Sequence, residues 1–306
     1  MLASHRTNHA PIVVFCFKRV ASLKRLVDAL LSNPESKYSE IYFYSDAPRT
    51  NEDIDQVQAV RNYLRDVKGF KRVVIVERDS NYGLARSFIS GISEILQNNE
   101  NGIFLEDDNF VSSAFLDFMN SSLEKFKNEP RVGCISGFSY PLLFPVKKSY
   151  FLDGAETWSM ATWKHVWEKF QDNTEILLEL FEDRKMRDKL NKYGFNFYQM
   201  LVQQKNGEID SWGVRWWASA VAQELLCLYP PKPFCVNEGW GAEGTHVTER
   251  NPIMSNSKYL SEGLGLIYPK KVHSTRLITL NMRAMNLKIE YLRLFRAVIQ
   301  RIRNQV

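Results

Sequence analysis

From residue 12 to residue 136 the chain alternates between two periods of hydrophobicity. Ile12 to Phe17 is an unbroken apolar run of strand length, and Leu23, Leu26, Val27, Leu30 and Leu31 then recur at the spacing of one helix face. The pair of signals repeats. Ile41 to Tyr44 predicts a second strand, followed by the turn chemistry of Ser45-Asp46-Ala47-Pro48-Arg49-Thr50 and a helix carrying Val57, Val60, Leu64 and Val67 on one face. Val73 to Val76 predicts a third strand, with a helix marked by Leu84, Phe88, Ile92, Ile95 and Leu96 after it. Ile103 to Leu105 is a fourth, and a helix bearing Phe115, Phe118, Met119, Leu123 and Phe126 stops before Pro130 and leads to a fifth strand at Val132 to Ser136. Repeated strand–helix units imply a mostly parallel sheet covered by helices on both faces.

In such sheets ligands sit beyond the carboxyl ends of the strands. The segments there are Lys18-Arg19, Asp46, Arg78 to Arg86 and, after the fourth strand, Glu106-Asp107-Asp108. Three consecutive carboxylates repel one another, and the triplet makes sense where a cation accepts it. Hard divalent metals such as Mn²⁺ or Mg²⁺ take oxygen ligands, commonly one or two protein carboxylates together with substrate phosphates. A solvated acidic loop is the plain alternative. No strand is followed by Gly-x-Gly-x-x-Gly or by a Gly-x-x-x-x-Gly-Lys-Ser/Thr loop, so a nucleotide bound here would need a metal for its phosphates.

Composition locates the charge. Of 40 Lys/Arg and 35 Asp/Glu, residues 283–306 hold six and one, which leaves 34 of each elsewhere and makes the body neutral. A nucleic-acid-binding body would carry its own basic face, so no nucleic-acid partner is expected. Within the tail, Leu287, Tyr291, Leu294, Val298 and Ile302 share a helical face with Phe295 at its edge, and Arg293, Arg296 and Arg303 lie away from it. A basic amphipathic helix suits an anionic membrane surface; packing on the body or on a second subunit is the alternative. No apolar run approaches the roughly 20 residues that span a bilayer, and the first residues lack a secretory signal. A cytoplasmic protein is expected, peripheral on the inner face of the membrane if the tail binds lipid. Cys16, Cys134, Cys227 and Cys235 have no zinc-type spacing.

The ordered segments of the first half resemble the GT-A nucleotide-sugar transferases, in particular glycosyltransferase family 2-like and N-acetylglucosaminyltransferase I-like enzymes. Phe17-Lys18-Arg19 after the first strand is similar to the family's opening, and Ser45-Asp46 to the position whose acid contacts the nucleotide base. Asn81-Tyr82-Gly83-Leu84-Ala85-Arg86 resembles the stretch whose arginine lies near the nucleotide. Leu105-Glu106-Asp107-Asp108 is similar to the Asp-x-Asp motif in its acidic-triplet form, with Asp108 in the place of the metal ligand and Glu rather than Asp as the first acid. The resemblance implies a GT-A fold and a metal-dependent, inverting sugar transfer. Arg19, Asp46, Arg86 and Asp107 would hold the nucleotide, and Asp108, Asp107 and Glu106 would provide the Mn²⁺ or Mg²⁺ site. A UDP-sugar is the first expectation for the donor, and a glycan or lipid-linked molecule of a bacterial surface polysaccharide such as lipopolysaccharide or capsule for the acceptor.

All seven tryptophans lie between residues 158 and 240, the largest compositional shift in the chain. Trp158, Trp163 and Trp212 are candidates for contacts with sugar faces. Core packing is the alternative for most of the seven, since Trp163/Trp167 and Trp212/Trp216 recur at helical spacing. Inverting transfer needs a general base for the acceptor hydroxyl. Asp210 is the first choice, because Asp210-Ser211-Trp212 resembles the Asp-x-Trp segment that bears the base in N-acetylglucosaminyltransferase I-like enzymes; capping of the following helix is its alternative role. Glu238 is the reserve. Val236 to His246 has the composition of a lid, and Thr245 and His246 are secondary candidates for the phosphate end of the donor. The expected organisation is a nucleotide-sugar half over 10–140, an acceptor and catalytic half over 141–280, and a C-terminal helix over 281–306. A retaining transferase and a non-catalytic glycan-binding protein on the same fold remain open.

Overall fold

The computed structural model describes residues 9–237, 260–261 and 267–303, the last eleven of these by backbone course alone. The first half follows the two hydrophobic periods closely. Strands β1 (Ile12–Cys16), β2 (Glu40–Ser45), β3 (Arg72–Glu77) and β4 (Asn101–Glu106) alternate with helices α1 (Val20–Leu31), α2 (Ile54–Asp66) and α3 (Gly83–Asn98). After β4 come a short strand β5 (Asn109–Val111), helix α4 (Phe115–Phe126) and strand β6 (Val132–Ser136).

The second half is built from smaller pieces: β7 (Tyr150–Asp153), β8 (Met160–Trp163), α5 (Lys164–Trp167), α6 (Thr174–Leu180), α7 (Arg184–Leu190), α8 (Phe197–Lys205), α9 (Trp212–Ala222), β9 (Leu226–Tyr229) and β10 (Cys235–Asn237). Helix α10 (Arg276–Arg303) ends the described chain. Eight strands form one sheet in the order β3-β2-β1-β4-β8-β6-β9-β7. Both halves share it, joined where β4 meets β8. Strands β1 to β4, β6 and β9 run one way and β7 and β8 the other, so the sheet is mostly parallel.

Strand β1 is the axis of the core. All five of its residues are buried, as expected for a parallel strand covered on both faces. Its register is flush with its neighbours at the carboxyl end: Phe15 lies opposite Glu106, Cys16 opposite Ser45, and Ser45 opposite Glu77. Four strand ends therefore deliver their following loops to one edge of the sheet. Strands β5 and β10 add a small antiparallel ladder beside that edge, with Asn109 opposite Asn237.

Two expectations change. Trp163 ends strand β8, and α5 begins only at Lys164, so the Trp163/Trp167 spacing is not one helix face. The last helix begins at Arg276, earlier than residue 281 or 283, because Ile278, Met282 and Met285 are buried against the body. Asn281 fastens this end by exchanging two hydrogen bonds with the backbone of Phe144 (2.7 and 3.2 Å), and Asn286 donates to the carbonyl of Tyr193 (2.7 Å). On the outer side Leu277, Leu280, Leu287 and Tyr291 are all at least 64% exposed. The side chains of Leu294, Phe295, Val298 and Ile302 lie outside the described residues. Among the described residues no helix is long and apolar enough to cross a membrane.

Candidate functional site

The turn between β4 and β5 consists of Asp107 and Asp108, and its backbone is held by the strands on either side. The Asp107 N–H donates to the carbonyl of Phe15 (3.1 Å), and the Glu106 N–H donates to the Asn109 side chain (3.1 Å). Both aspartates are buried. The guanidinium of Arg19, from the turn between β1 and α1, spans them: one nitrogen donates to Asp108 Oδ2 at 2.8 Å and the other to Asp107 Oδ1. Asp107 Oδ2 accepts the backbone N–H of Phe17 (3.4 Å), and Asp108 Oδ1 accepts the side-chain amide of Asn237 (2.9 Å). All four carboxylate oxygens are thus engaged.

The electrostatics follow from crowding and burial. Burial, reinforced by the Asp108 and Asp107 charges, pushes the Glu106 carboxyl well above the usual range. Burial also raises Asp107, and Arg19 pulls it back, leaving it at about 6. For Arg19 burial works against the charge, but the two aspartates outweigh it and hold the guanidinium above its ordinary value. A cation is what makes two adjacent buried carboxylates tolerable.

Whether these residues suit a divalent metal can be judged from their chemistry. The available donors are carboxylate oxygens, which Mn²⁺ and Mg²⁺ favour. A guanidinium already stands between the two carboxylates as a cation. Beside them the Asn109 Nδ2 group is buried with no hydrogen-bond partner among the described residues, a donor suited to a phosphate oxygen rather than to the metal. Among the described residues no three His, Cys, Asp or Glu side chains converge on one point. The adjacent Asp107 and Asp108 carboxylates are the donor set of an ion that takes one or two protein carboxylates and completes its shell with phosphate and water.

One strand over, Asp46 follows β2 and its carboxylate is held by three backbone donors. Oδ1 accepts from Ala47 (2.9 Å) and Tyr82 (2.8 Å), and Oδ2 from Gly83 (2.9 Å). Tyr82 and Gly83 begin α3, where unpaired N–H groups and the positive helix end favour an anion. Gly83 has φ +70°, a conformation that suits glycine and turns its N–H into the carboxylate. Asp46 therefore ties the β2 and β3 loops together, a job the base-contacting assignment did not include. Asn81 reinforces it by donating to the Ala47 carbonyl (2.6 Å). Arg86 is exposed and lies over the Tyr82 ring at 3.8 Å, with Arg78 over the same ring at 4.7 Å. Replacing Asp46 by Ala leaves two part-buried helix-start donors without their acceptor. It should lower the unfolding free energy by about 2–3 kcal/mol, measurable as a shift in the urea midpoint at unchanged slope.

Asp210 directly precedes Ser211, the N-cap of α9. Ser211, not Asp210, caps that helix: its Oγ accepts the Val214 N–H at 3.3 Å. Asp210 instead receives a hydrogen bond from Arg215 (3.1 Å), whose other nitrogen donates to Asp172 (2.6 Å). The Asp210 side chain is 72% exposed while Arg215 is buried, so a fixed guanidinium presents an accessible carboxylate. Helix α9 reaches the metal candidate through stacked rings. Trp212 lies 4.7 Å from Phe88, and Phe88 lies 4.0 Å from Phe15, whose carbonyl holds the Asp107 N–H.

Trp212 and Trp163 are each 3% exposed and belong to the core, which corrects their assignment to sugar contacts. Trp158 is half-buried and lies edge-on to Phe138 at 5.0 Å. Its backbone N–H, with that of Thr157, is held by the buried Glu156 carboxylate (3.2 and 2.7 Å). Glu238, Thr245 and His246 lie outside the described residues. Two site residues escaped the sequence patterns. Asn109 could have been suspected from its place directly after the acids, whereas Asn237 reaches Asp108 across 129 positions with no local signal.

No family model matches the chain and no curated protein matches it. It is similar to the solved structure of the mannosyltransferase PcManGT from Pyrobaculum calidifontis in complex with GDP-Man and Mn²⁺, at 11% identity and TM-score 0.40 over 71% of this chain and 69% of that one. It is also similar to TarS from S. aureus (10% identity, TM-score 0.42, 65% of this chain and 45% of that one). GalNAc-T7 with UDP, GalNAc and Mn²⁺ is a third (11%, 0.40, 54% and 37%). The chain thus spans less than half the length of the latter two. Likeness at this level carries no functional conclusion, which rests instead on the residues at the sheet edge.

Proposed function

We propose that this chain is a metal-dependent, inverting glycosyltransferase of the GT-A type, moving a sugar from a nucleotide-diphosphate donor to a glycan or lipid-linked acceptor. One observation carries the reading: Arg19, Asp107 and Asp108 meet at the carboxyl edge of a mostly parallel sheet, beside the loop that Asp46 fastens. That edge is where this architecture binds ligands. Asp108 and Asp107 would hold Mn²⁺ or Mg²⁺, with Glu106 behind them; when bound, the ion supplies Lewis-acid stabilisation of the diphosphate leaving group. Arg19 and Arg86 would bind the donor's nucleotide and phosphates. A UDP-sugar remains the expected donor.

In the reaction Asp210 takes the proton of the acceptor hydroxyl. The oxygen forms its bond to the anomeric carbon as the bond from that carbon to the diphosphate oxygen breaks on the opposite face, and the nucleoside diphosphate departs with the electron pair. Arg215 supports this role by fixing the Asp210 carboxylate at the start of α9. Trp158 is the aromatic candidate left for the sugar. The halves 10–140 and 141–280 would contribute donor and acceptor contacts, respectively.

An anionic membrane surface is the proposed partner of α10. Its inner face is occupied by the body, while Leu277, Leu280, Leu287 and Tyr291 form an exposed row flanked by the exposed cations Arg276, Arg283 and Lys288. That arrangement suits a helix lying in the headgroup layer and would bring the site to a lipid-linked acceptor of surface-polysaccharide assembly on the cytoplasmic face.

Incubation with a panel of nucleotide sugars tests the reading. Slow release of nucleoside diphosphate from one donor class, dependent on Mn²⁺ or Mg²⁺ and stopped by EDTA, is expected. Metal-independent glycan binding with no release from any donor would favour a non-catalytic glycan-binding protein.

A further inference from the structure

The Arg19 contacts raise a question that metal binding alone does not answer. Asp107 Oδ1 and Asp108 Oδ2 both receive the Arg19 fork, while the remaining oxygens are taken by the Phe17 N–H and the Asn237 amide. A divalent ion drawing on either carboxylate shares oxygens that already accept a donor, and its charge is set directly against the guanidinium held between the two carboxylates. Phe17 N–H belongs to the backbone at the end of β1 and cannot leave without moving the chain. Arg19 can: it is a long side chain, its side chain is 21% exposed, and its residue begins α1 without making a side-chain cap. A guanidinium freed from two carboxylates at that edge remains a planar fork matched to phosphate oxygens.

We propose that Arg19 is an exchangeable counter-cation: it closes the Asp107/Asp108 pair in the absence of metal and transfers to the donor diphosphate when metal takes its place. This rests on the metal-site reading above and adds a coupling to it. Arg19 lowers the protein's affinity for metal alone, because only the fraction with the fork withdrawn is competent to bind. The same residue raises affinity for metal and nucleotide together, because the displaced guanidinium then has an anion to meet. Metal and nucleoside diphosphate should each strengthen the other's binding, and that reciprocal coupling should depend on Arg19.

The test is a titration of the full chain with Mn²⁺ alone, followed by the EPR signal of free Mn²⁺, and then again with saturating nucleoside diphosphate. Variants Arg19→Met, Arg19→Lys and Asp108→Asn are compared with the wild type after their unfolding curves have been recorded. Arg19→Met should bind Mn²⁺ alone about 10-fold more tightly than the wild type and lose most of the enhancement by nucleotide. Arg19→Lys keeps the charge without the fork and should fall between them, which preserves the test if the methionine variant folds poorly. Equal or weaker Mn²⁺ binding by both Arg19 variants, with Asp108→Asn abolishing it, would overturn the exchange and leave the metal site standing. Failure of every protein to bind Mn²⁺, with or without nucleotide, would remove the metal-site reading and the exchange with it.

Discussion

Asp210→Asn should lower turnover by about 10²–10⁴-fold while leaving donor affinity unchanged, the range general-base catalysis contributes. The substitution suits the purpose because the structure separates chemistry from scaffolding at this position. Ser211 caps α9, so the helix start keeps its acceptor. Asparagine retains an oxygen for the Arg215 nitrogen that now contacts Asp210 Oδ1. Asp210 is largely exposed and the buried Arg215 keeps its bond to Asp172, so the fold should survive with little change. Steady-state kinetics with donor and acceptor both varied would check the expectation. Undiminished turnover would remove Asp210 as the base and make Glu238→Gln the next variant to measure.

Asp108→Ala should abolish metal-dependent donor binding and reduce turnover by about 10³-fold, the scale on which removal of a preorganised electrostatic contact acts. Its neighbours make the effect specific. Asp107 would keep Arg19 and the Phe17 N–H, so a counter-cation remains for the surviving carboxylate, while Asn237 would lose its acceptor. The variant should stay folded yet gain nothing from Mn²⁺ when nucleotide is added. Calorimetric titration with the metal–nucleotide complex separates loss of binding from loss of chemistry.

Much of the donor side was legible because its signals are local. The period switches between residues 12 and 136 named β1 to β4, β6 and the helices among them, and chain direction placed Lys18-Arg19, Asp46 and the acidic triplet at one edge. Strands of three or four residues such as β5, β7, β8 and β10 are too short for a period to register, and they supply the second sheet and the antiparallel members of the first. The tryptophans were legible as a cluster but not individually: Trp163 and Trp212 carry the same side chain as Trp158 and differ only in what covers them. Asp46 shows the limit most plainly. The resemblance implied a nucleotide contact for it, and no local signal announced that two of the three donors on its oxygens come from residues 36 and 37 positions away. The Arg19 fork likewise joins residues almost 90 positions apart, a pairing that no local pattern encodes.

The central claim is that the acidic turn after β4 is a metal-dependent nucleotide site. It is tested most directly by thermal unfolding of the wild type and Asp108→Ala across a panel of nucleoside diphosphates, each with and without Mn²⁺. A nucleotide at about 100 times its dissociation constant contributes roughly 2.7 kcal/mol, equivalent to about 4 °C in a chain of this size. The account predicts that upward shift for one nucleotide class, with Mn²⁺ present and in the wild type only. The same shift without metal, or in Asp108→Ala, or no shift with any nucleotide, would contradict it.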